Sequence, residues 1–319
     1  MTDVHPRKIL IDTDPGIDDA MAIFYALASP ELDVVGLTSI FGNAHTAVCT
    51  NNALKLLEIA DRAHIPVARG VDGPLVMPYR GPVPFVHGVD GQGEVFLPPP
   101  IAQPQQIDAA HFIIRSVMSS PGEITLVALG PLTNLAIAML VEPALSAQLA
   151  GIVLMGGSAF RGGNASPAAE ANILNDPEAA DIVFGAHCPI VMAGLDVTEQ
   201  IIMTSADMAQ LATFGNGRAR HLAAIIPFYE AFYRSRSGID GVFVHDSTTI
   251  SYLLAPQLFS WVEQPVRVDC GQSFCRGKTQ TAVRVSDHET DWAARRPVRI
   301  LTGVDSRAVV ELELDRLRR

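Results

Sequence analysis

The sequence predicts an α/β fold: an open, mostly parallel, Rossmann-like sheet flanked by helices, with a small β-hairpin excursion near the C-terminus. Two observations carry this. Short apolar runs of strand length alternate with helical stretches, the signature of β-α-β units, and the first of those runs ends in a turn crowded with Asp, Pro and Gly. Lys8–Ile11 is the first strand; it runs into DTDPGIDD, and Ala20–Ala28 reads as a buried helix stopped by Pro30. Val34–Ile40 is a second buried strand closing on Phe41-Gly42-Asn43, followed by a helix over Thr46–Ala60. Ile124–Leu129 leads into GPLTN and another helix, Ile152–Met155 into a Gly-rich loop, and Pro189–Ala193 is a further strand, which makes at least five such units. Two long segments interrupt them, Val71–Pro104 and Gly156–Asn172; loops of this length inside a compact unit commonly line a site. Ala206–Arg234 is mostly helical, Ser235–Val244 a loop and Asp246–Leu254 a helix. Val266–Val285 alternates like a hairpin, and Val298–Leu301 precedes a last helix over Ser306–Leu317. No internal repeat or low-complexity tract divides residues 1–319, which read as one domain.

With 48% hydrophobic and 18% charged residues, the chain buries a large core, and intrinsic disorder is excluded. Acids outnumber bases, 34 to 23, for a formal charge of −11; a surface for nucleic acid would oppose that balance. No apolar run reaches membrane-spanning length, and acids occupy the place of a signal peptide's apolar stretch, so a cytoplasmic protein with no membrane partner is expected. The four cysteines read as reduced thiols.

Function points to the acidic strand end. Asp12, Asp14, Asp18 and Asp19 crowd one strand-to-helix turn. Side chains alternate along a strand, so Asp12 and Asp14 share a direction while Asp18 and Asp19 open the helix. Two carboxylates about 5 Å apart repel by roughly 3 kcal/mol at an effective dielectric near 20. One such Asp is an ordinary cap or turn residue; four together call for a cation, and hard oxygen donors favour Ca²⁺ or Mg²⁺ over zinc. Open α/β sheets bind ligands at the carboxyl ends of their strands. Asn43, the Leu129 carbonyl, Asn164, Glu170 and Asn172 stand at such ends, and His245-Asp246 pairs an imidazole with a carboxylate at a helix start.

These residues resemble the inosine-uridine preferring nucleoside hydrolases. DTDPGIDDA at Asp12–Ala20 is similar to that family's N-terminal signature. FGN at Phe41–Asn43, HGVDGQG at His87–Gly93, LGPLTN at Leu129–Asn134, LMGG at Leu154–Gly157, GNASPAAEANILNDPEAA at Gly163–Ala180 and HD at His245-Asp246 follow in order, so the resemblance spans most of the chain. It implies a Ca²⁺ held by Asp14, Asp19, the Leu129 carbonyl and Asp246, with Asp14 also the general base and Asp12 a supporting acid. It implies ribose contacts from Asp18, Asn43, Asn164, Glu170 and Asn172, with Met155 beside them, and His87 and His245 facing the base, His245 resembling the proton donor proposed for purine substrates in part of the family. Asp14, His245 and Asn172 form the implied catalytic set, and Asp246 also faces substrate. The substrate would be a free ribonucleoside such as inosine or uridine, cleaved to ribose and base in purine and pyrimidine salvage, by a homodimer or homotetramer.

Two positions depart from the family pattern: Ala171 stands where Phe is common, and Ser247 where Pro commonly follows the HD pair. In the helix and loop before that pair, Tyr229, Tyr233, Arg234 and Arg236 could contact a base, although aromatics at helical spacing favour a core role. Ser286–Asp291 reads as a solvated acidic loop rather than a second metal site. Two other functions fit parts of the pattern. Asp12-Thr13-Asp14 resembles the nucleophile motif of haloacid-dehalogenase-like phosphohydrolases, whose chemistry wants a positioned Lys, yet only Lys8, Lys55 and Lys278 exist. A non-catalytic ribose- or nucleoside-binding protein would share fold and metal but have no need of a base beside the bound water.

Overall fold

The computed structural model describes residues 6–284 and 290–319. Its strands, in chain order, are β1 (Arg7–Thr13), β2 (Leu32–Ser39), β3 (Val67–Arg69), β4 (Thr125–Ala128), β5 (Gly151–Met155), β6 (Ile190–Ala193), β7 (Ile202–Met203), β8 (Val242–Phe243), β9 (Phe259–Gln264), β10 (Val266–Val268), β11 (Thr279–Thr281) and β12 (Val298–Val304). Eight of them form one sheet in the order β3-β2-β1-β4-β5-β6-β12-β9. Every neighbouring pair in it is parallel except β12–β9, which is antiparallel at the edge. The expected open, mostly parallel sheet is therefore present, and so is the small hairpin, as the antiparallel pair β10–β11.

The sheet is covered on both faces, which is why its inner strands read as continuous apolar runs. Ile9, Ile11, Val127, Val153 and Val191 belong to one core cluster; Leu10, Leu126, Ile152, Leu154 and Met192 belong to the other. Alternate residues of one strand thus feed opposite cores. The order 3-2-1-4 reverses direction between β1 and β4, and the crevice at such a switch point is where ligands bind in open α/β sheets. Asp14 follows β1 and Leu129 follows β4, so both stand at that crevice.

The first helix starts at Ile17 rather than Ala20, which places Asp18 and Asp19 in its first turn, at the positive end of the helix dipole. The long Val71–Pro104 segment contains a one-turn helix, Pro84–His87, with Pro at its start. The stretch expected as one helical region over Ala206–Arg234 divides into Ser205–Leu211 and Gly217–Ser237. The strands β3 and β9 and the helix Ala109–Ser119 are additions to the sequence reading. All four cysteines are free. No helix among the described residues is long and apolar enough to cross a membrane, and residues 286–289 of the acidic loop lie outside the described residues.

Leu10 is fully buried in the second cluster. Leu10→Ala removes that packing and leaves a cavity at the centre of the sheet, so unfolding should be easier by about 2–5 kcal/mol, read as a lower urea midpoint at unchanged slope.

Candidate active site

The β1 end is built around Asp14, 1% exposed. Its Oδ2 accepts the Asn43 backbone N–H at 2.7 Å, while its Oδ1 is buried without a hydrogen-bond partner. Gly42 and Gly130 flank it so closely that a Cβ on either would lie 2.0 Å from Oδ2 or 2.5 Å from Oδ1, which is why neither position carries a side chain. Asp19 accepts the Gly16 N–H at 2.9 Å and the Asn43 side-chain amide at 3.0 Å, and takes the Thr13 hydroxyl. Asn43 therefore bridges Asp14 to Asp19.

Asp246 arrives from a position more than two hundred residues away and meets this turn: carboxylate oxygens of Asp18, Asp19 and Asp246 lie within 4.8 Å of one another. Asp246 is 3% exposed and caps no N–H of its own helix, so the carboxylate is left to the cluster. The trio differs from the expected ligand set in including Asp18, while Asp14 joins through the Asn43 bridge. Asp12, which shares the strand, is turned to Thr38 and Asn134, whose side chains donate to its Oδ1 at 2.6 and 2.8 Å; it supports the strand end and stays out of the cluster. The Leu129 carbonyl accepts the Asn172 side-chain amide at 2.7 Å.

Burial dominates the electrostatics. It raises the carboxyls of Asp14, Asp18 and Asp246 above the usual range, with neighbouring acids raising Asp14 and Asp246 further. Asp19 rises to about 6 through burial and the Asp18 charge, and Asp12 to about 7 through burial. His87 and His245 move the other way, each to about 4, because burial disfavours the imidazolium. The residues fit a hard divalent cation: the donors are all oxygen, the acids resist sharing negative charge, and one buried carboxylate oxygen lacks a partner.

Above the acids lies a cavity of about 620 Å³, lined among others by Asp18, Asn43, His87, Leu129, Met155, Asn164, Glu170, Asn172, His245 and Asp246. Ten expected site residues thus meet in one space, with Asp14 and Asp19 beneath it. Glu170 caps the helix Ala171–Asn175, accepting the N–H groups of Asn172, Ile173 and Gly157 at 2.8, 3.1 and 2.9 Å. Asn164 accepts the Ala171 N–H at 3.0 Å, leaving its amide donors to the cavity. His87 accepts the Ile17 N–H on Nδ1 at 3.2 Å and stacks on Tyr229 at 5.4 Å.

Tyr229 and Tyr233 overturn the core reading in part. Both are buried, yet they line the cavity and carry a hydroxyl chain. Tyr229 Oη donates to Asp18 Oδ2 at 3.0 Å, lies 3.1 Å from Tyr233 Oη, and Tyr233 Oη lies 2.9 Å from His245 Nε2. His245 Nδ1 is 2.8 Å from Thr198 Oγ1. With the Asp18 carboxylate accepting at one end, a single ordering satisfies every member: Thr198 donates to Nδ1, Nε2–H to Tyr233, and Tyr233 to Tyr229. Tyrosine at both positions of an i, i+4 pair, where Phe would pack as well, was the available signal. Thr198 offered none. Arg236 lines the cavity, whereas Arg234 is engaged by Glu230 and Asp240. The lysines a phosphohydrolase would need are committed elsewhere, to Glu123, Glu58, and the Ser158 and Arg161 carbonyls.

Comparison with known proteins agrees with this geometry. The family model described as "Inosine-uridine preferring nucleoside hydrolase" matches residues 9–311. A "Probable uridine nucleosidase 2" of Arabidopsis thaliana is 44% identical over 98% of this chain and 97% of its own length. A "Pyrimidine-specific ribonucleoside hydrolase RihA" of Klebsiella pneumoniae is 38% identical over 97% of each chain. Among solved structures, a plant nucleoside hydrolase, the PpNRh1 enzyme, superposes with a TM-score of 0.95 at 41% identity, covering 98% of this chain and 99% of its own. A purine-preferring ribonucleoside hydrolase from Gardnerella vaginalis gives 0.91 at 30% identity, covering 98% of both. The chain belongs to the inosine-uridine preferring nucleoside hydrolase family and is a hydrolase of N-glycosyl bonds.

Proposed function

We propose that this protein hydrolyses the N-glycosidic bond of free ribonucleosides, uridine foremost, to ribose and base in a Ca²⁺-dependent reaction of nucleoside salvage. Residues 1–319 act as one unit, in the cytoplasm, as a homodimer or homotetramer. The carrying observation is the convergence of buried acids from distant parts of the chain under a nucleoside-sized cavity. Uridine is placed first because the relatives at 38–44% identity carry uridine or pyrimidine in their names.

Asp14, Asp19, the Leu129 carbonyl and Asp246 would hold Ca²⁺, with Asp18 beside them. When bound, the ion neutralises the acids and provides oxygen coordination for sugar and water. Asp14 takes the proton of the attacking water; its unpartnered Oδ1 is the free acceptor for that task. Asn43, Asn164, Glu170 and Asn172 orient the ribose, and Met155 packs beside it. As the bond to the base breaks, positive charge grows on the sugar ring, and carboxylate and amide oxygens stabilise that oxocarbenium-like state more than the neutral substrate. The departing base needs a proton. His245, neutral in its buried setting, holds Nε2–H toward Tyr233; when Nδ1 takes up a proton, returned through solvent from the one Asp14 removed from water, Nε2–H passes by way of the Tyr233 hydroxyl to the base as the base gains negative charge, and the imidazole is left neutral again. His87 lines the base side.

Asp14→Ala should lower kcat on uridine by at least about 10²-fold with the circular dichroism spectrum retained; near-normal turnover overturns the base assignment. His245→Ala and Tyr233→Phe should both slow uridine hydrolysis while sparing p-nitrophenyl riboside, whose leaving group needs no proton. Equal losses on the two substrates would indicate a structural role instead. Prolonged chelation should abolish uridine cleavage and lower the melting temperature, since ligand binding to the folded state stabilises it; Ca²⁺ should restore both. Activity persisting in protein shown to be metal-free overturns the Ca²⁺ reading. Incubation with inosine, uridine and p-nitrophenyl phosphate separates the rival functions: free base supports hydrolysis of nucleosides, free phosphate a phosphohydrolase, and bound but uncleaved nucleoside a binding protein.

A further inference from the structure

Glu313, on the terminal helix Ser306–Arg318, is fully buried at 0% exposure. Its Oε1 accepts the Ser247 hydroxyl at 2.8 Å, and its Oε2 has no hydrogen-bond partner. A carboxyl so placed works against stability, because an apolar side chain of similar size would fill the space without a desolvated oxygen. Its position suggests what it does. The terminal helix packs against both Ile17–Leu27, which carries Asp18 and Asp19, and Ser247–Leu254, which follows Asp246 directly. Glu313 therefore stands where these three helices meet, one hydrogen bond from the residue that follows Asp246.

Ser247 is one of the two residues at which this chain departs from its family pattern. Proline at the first position of a helix fixes the backbone by its ring and lacks an N–H that would go unpaired. Serine does neither. Here the helix start is fastened through hydroxyls instead: Ser247 to Glu313, Thr248 Oγ1 to the Val244 carbonyl at 2.6 Å, and Thr249 Oγ1 to the Asp246 carbonyl at 2.7 Å. One turn further on, Ser251 Oγ and Tyr25 Oη, 3.4 Å apart, tie the same helix to the one bearing Asp18 and Asp19. The Ser247–Glu313 bond is the member of this set that reaches the C-terminal helix.

We propose that Glu313 and Ser247 are a positioning pair that holds Asp246 on the acid cluster, so that a side chain of the last helix sets how firmly the site retains its cation. The inference rests on the Ca²⁺ reading above. Groups hydrogen-bonded to a metal ligand typically change metal affinity by about 10- to 100-fold when removed; Ser247 and Glu313 act on Asp246 through the backbone, so the lower end of that range is expected.

The test uses the full-length chain loaded with Ca²⁺ and mixed with excess fluorescent chelator, with the release rate as readout, alongside kcat and KM for uridine at saturating Ca²⁺ and the melting temperature. S247A and E313L should each release the ion about tenfold faster, with kcat at saturating Ca²⁺ near that of the unaltered protein. E313Q keeps the acceptor oxygen and should release at the unaltered rate. The S247A/E313L double variant should be no faster than either single one, because the two residues form one contact. Unchanged release in S247A and E313L overturns the pairing, whatever the melting temperature does. So does a double variant showing the sum of both effects, or E313Q behaving like E313L. If the unaltered chain holds no cation, both this inference and the Ca²⁺ reading fall; a loaded chain with indifferent variants removes only the former.

Discussion

The burial of carboxylates beside one another is the constraint on which this molecule is built. Asp14, Asp18, Asp19 and Asp246 are each raised above the ordinary carboxyl range, and in three of them the charges of the others add to the effect of burial. A protein that needed only a stable core would not assemble them. The fold reduces the penalty with what a parallel sheet supplies at its carboxyl edge: backbone N–H groups at Gly16 and Asn43, the positive end of the helix beginning at Ile17, and the bridging amide of Asn43. These donors still leave one oxygen of Asp14 unserved. The cluster thus fits a divalent cation, and on the proposed function the same residues would both hold that ion and accept a proton.

The base side of the cavity follows a different electrostatic rule. Desolvation outweighs the attraction of Asp19 at His87, and at His245 desolvation and the neighbouring His87 both disfavour the imidazolium, so both rings are neutral. On the proposed mechanism, a stored imidazolium is therefore not the source of the leaving base's proton. Direction comes from the hydrogen-bond ordering through Tyr233 and Tyr229 to Asp18, in which each hydroxyl has one donor and one acceptor role.

What the sequence revealed divides along the same line. The strands with continuous apolar runs and the acidic turn were legible because their signal is local: nine residues from Asp12 to Ala20 place four acids at one strand end. Asp246 was reachable through the HD pair at a helix start. Three residues of β3 and the alternating edge strand β9 are too short or too exposed to stand out from their surroundings. The helix boundary moved from Ala20 to Ile17 because capping, not apolar spacing, decides where the turn closes. Tyr229 and Tyr233 have the spacing of a buried face, and buried they are; only their hydroxyl partners, contributed by Asp18 and His245, show the second role. Thr198 and Glu313 depend wholly on tertiary contact, across 47 and 66 residues of chain respectively.

The two halves of the cavity also differ in how readily they can change. The side proposed for the sugar is drawn from several strand ends, and its polar groups are already bonded to main chain: Glu170 to three N–H groups, the Asn43 amide to the Asp14 carbonyl, and Asn172 to the Leu129 and Met155 carbonyls. Altering any of them disturbs backbone as well as ligand. The base side comes largely from one face of Gly217–Ser237, with Tyr229, Phe232, Tyr233 and Arg236 at helical spacing, and from Phe85 across a ring contact of 6.2 Å. Ring contacts of this kind carry little directional constraint and can be rebuilt one residue at a time. On the proposed function, similarity of the whole chain to hydrolases named for pyrimidines and for purines alike is what such a division would permit: a fixed grip on ribose, and a base pocket whose selectivity would rest on a few side chains of a single helix.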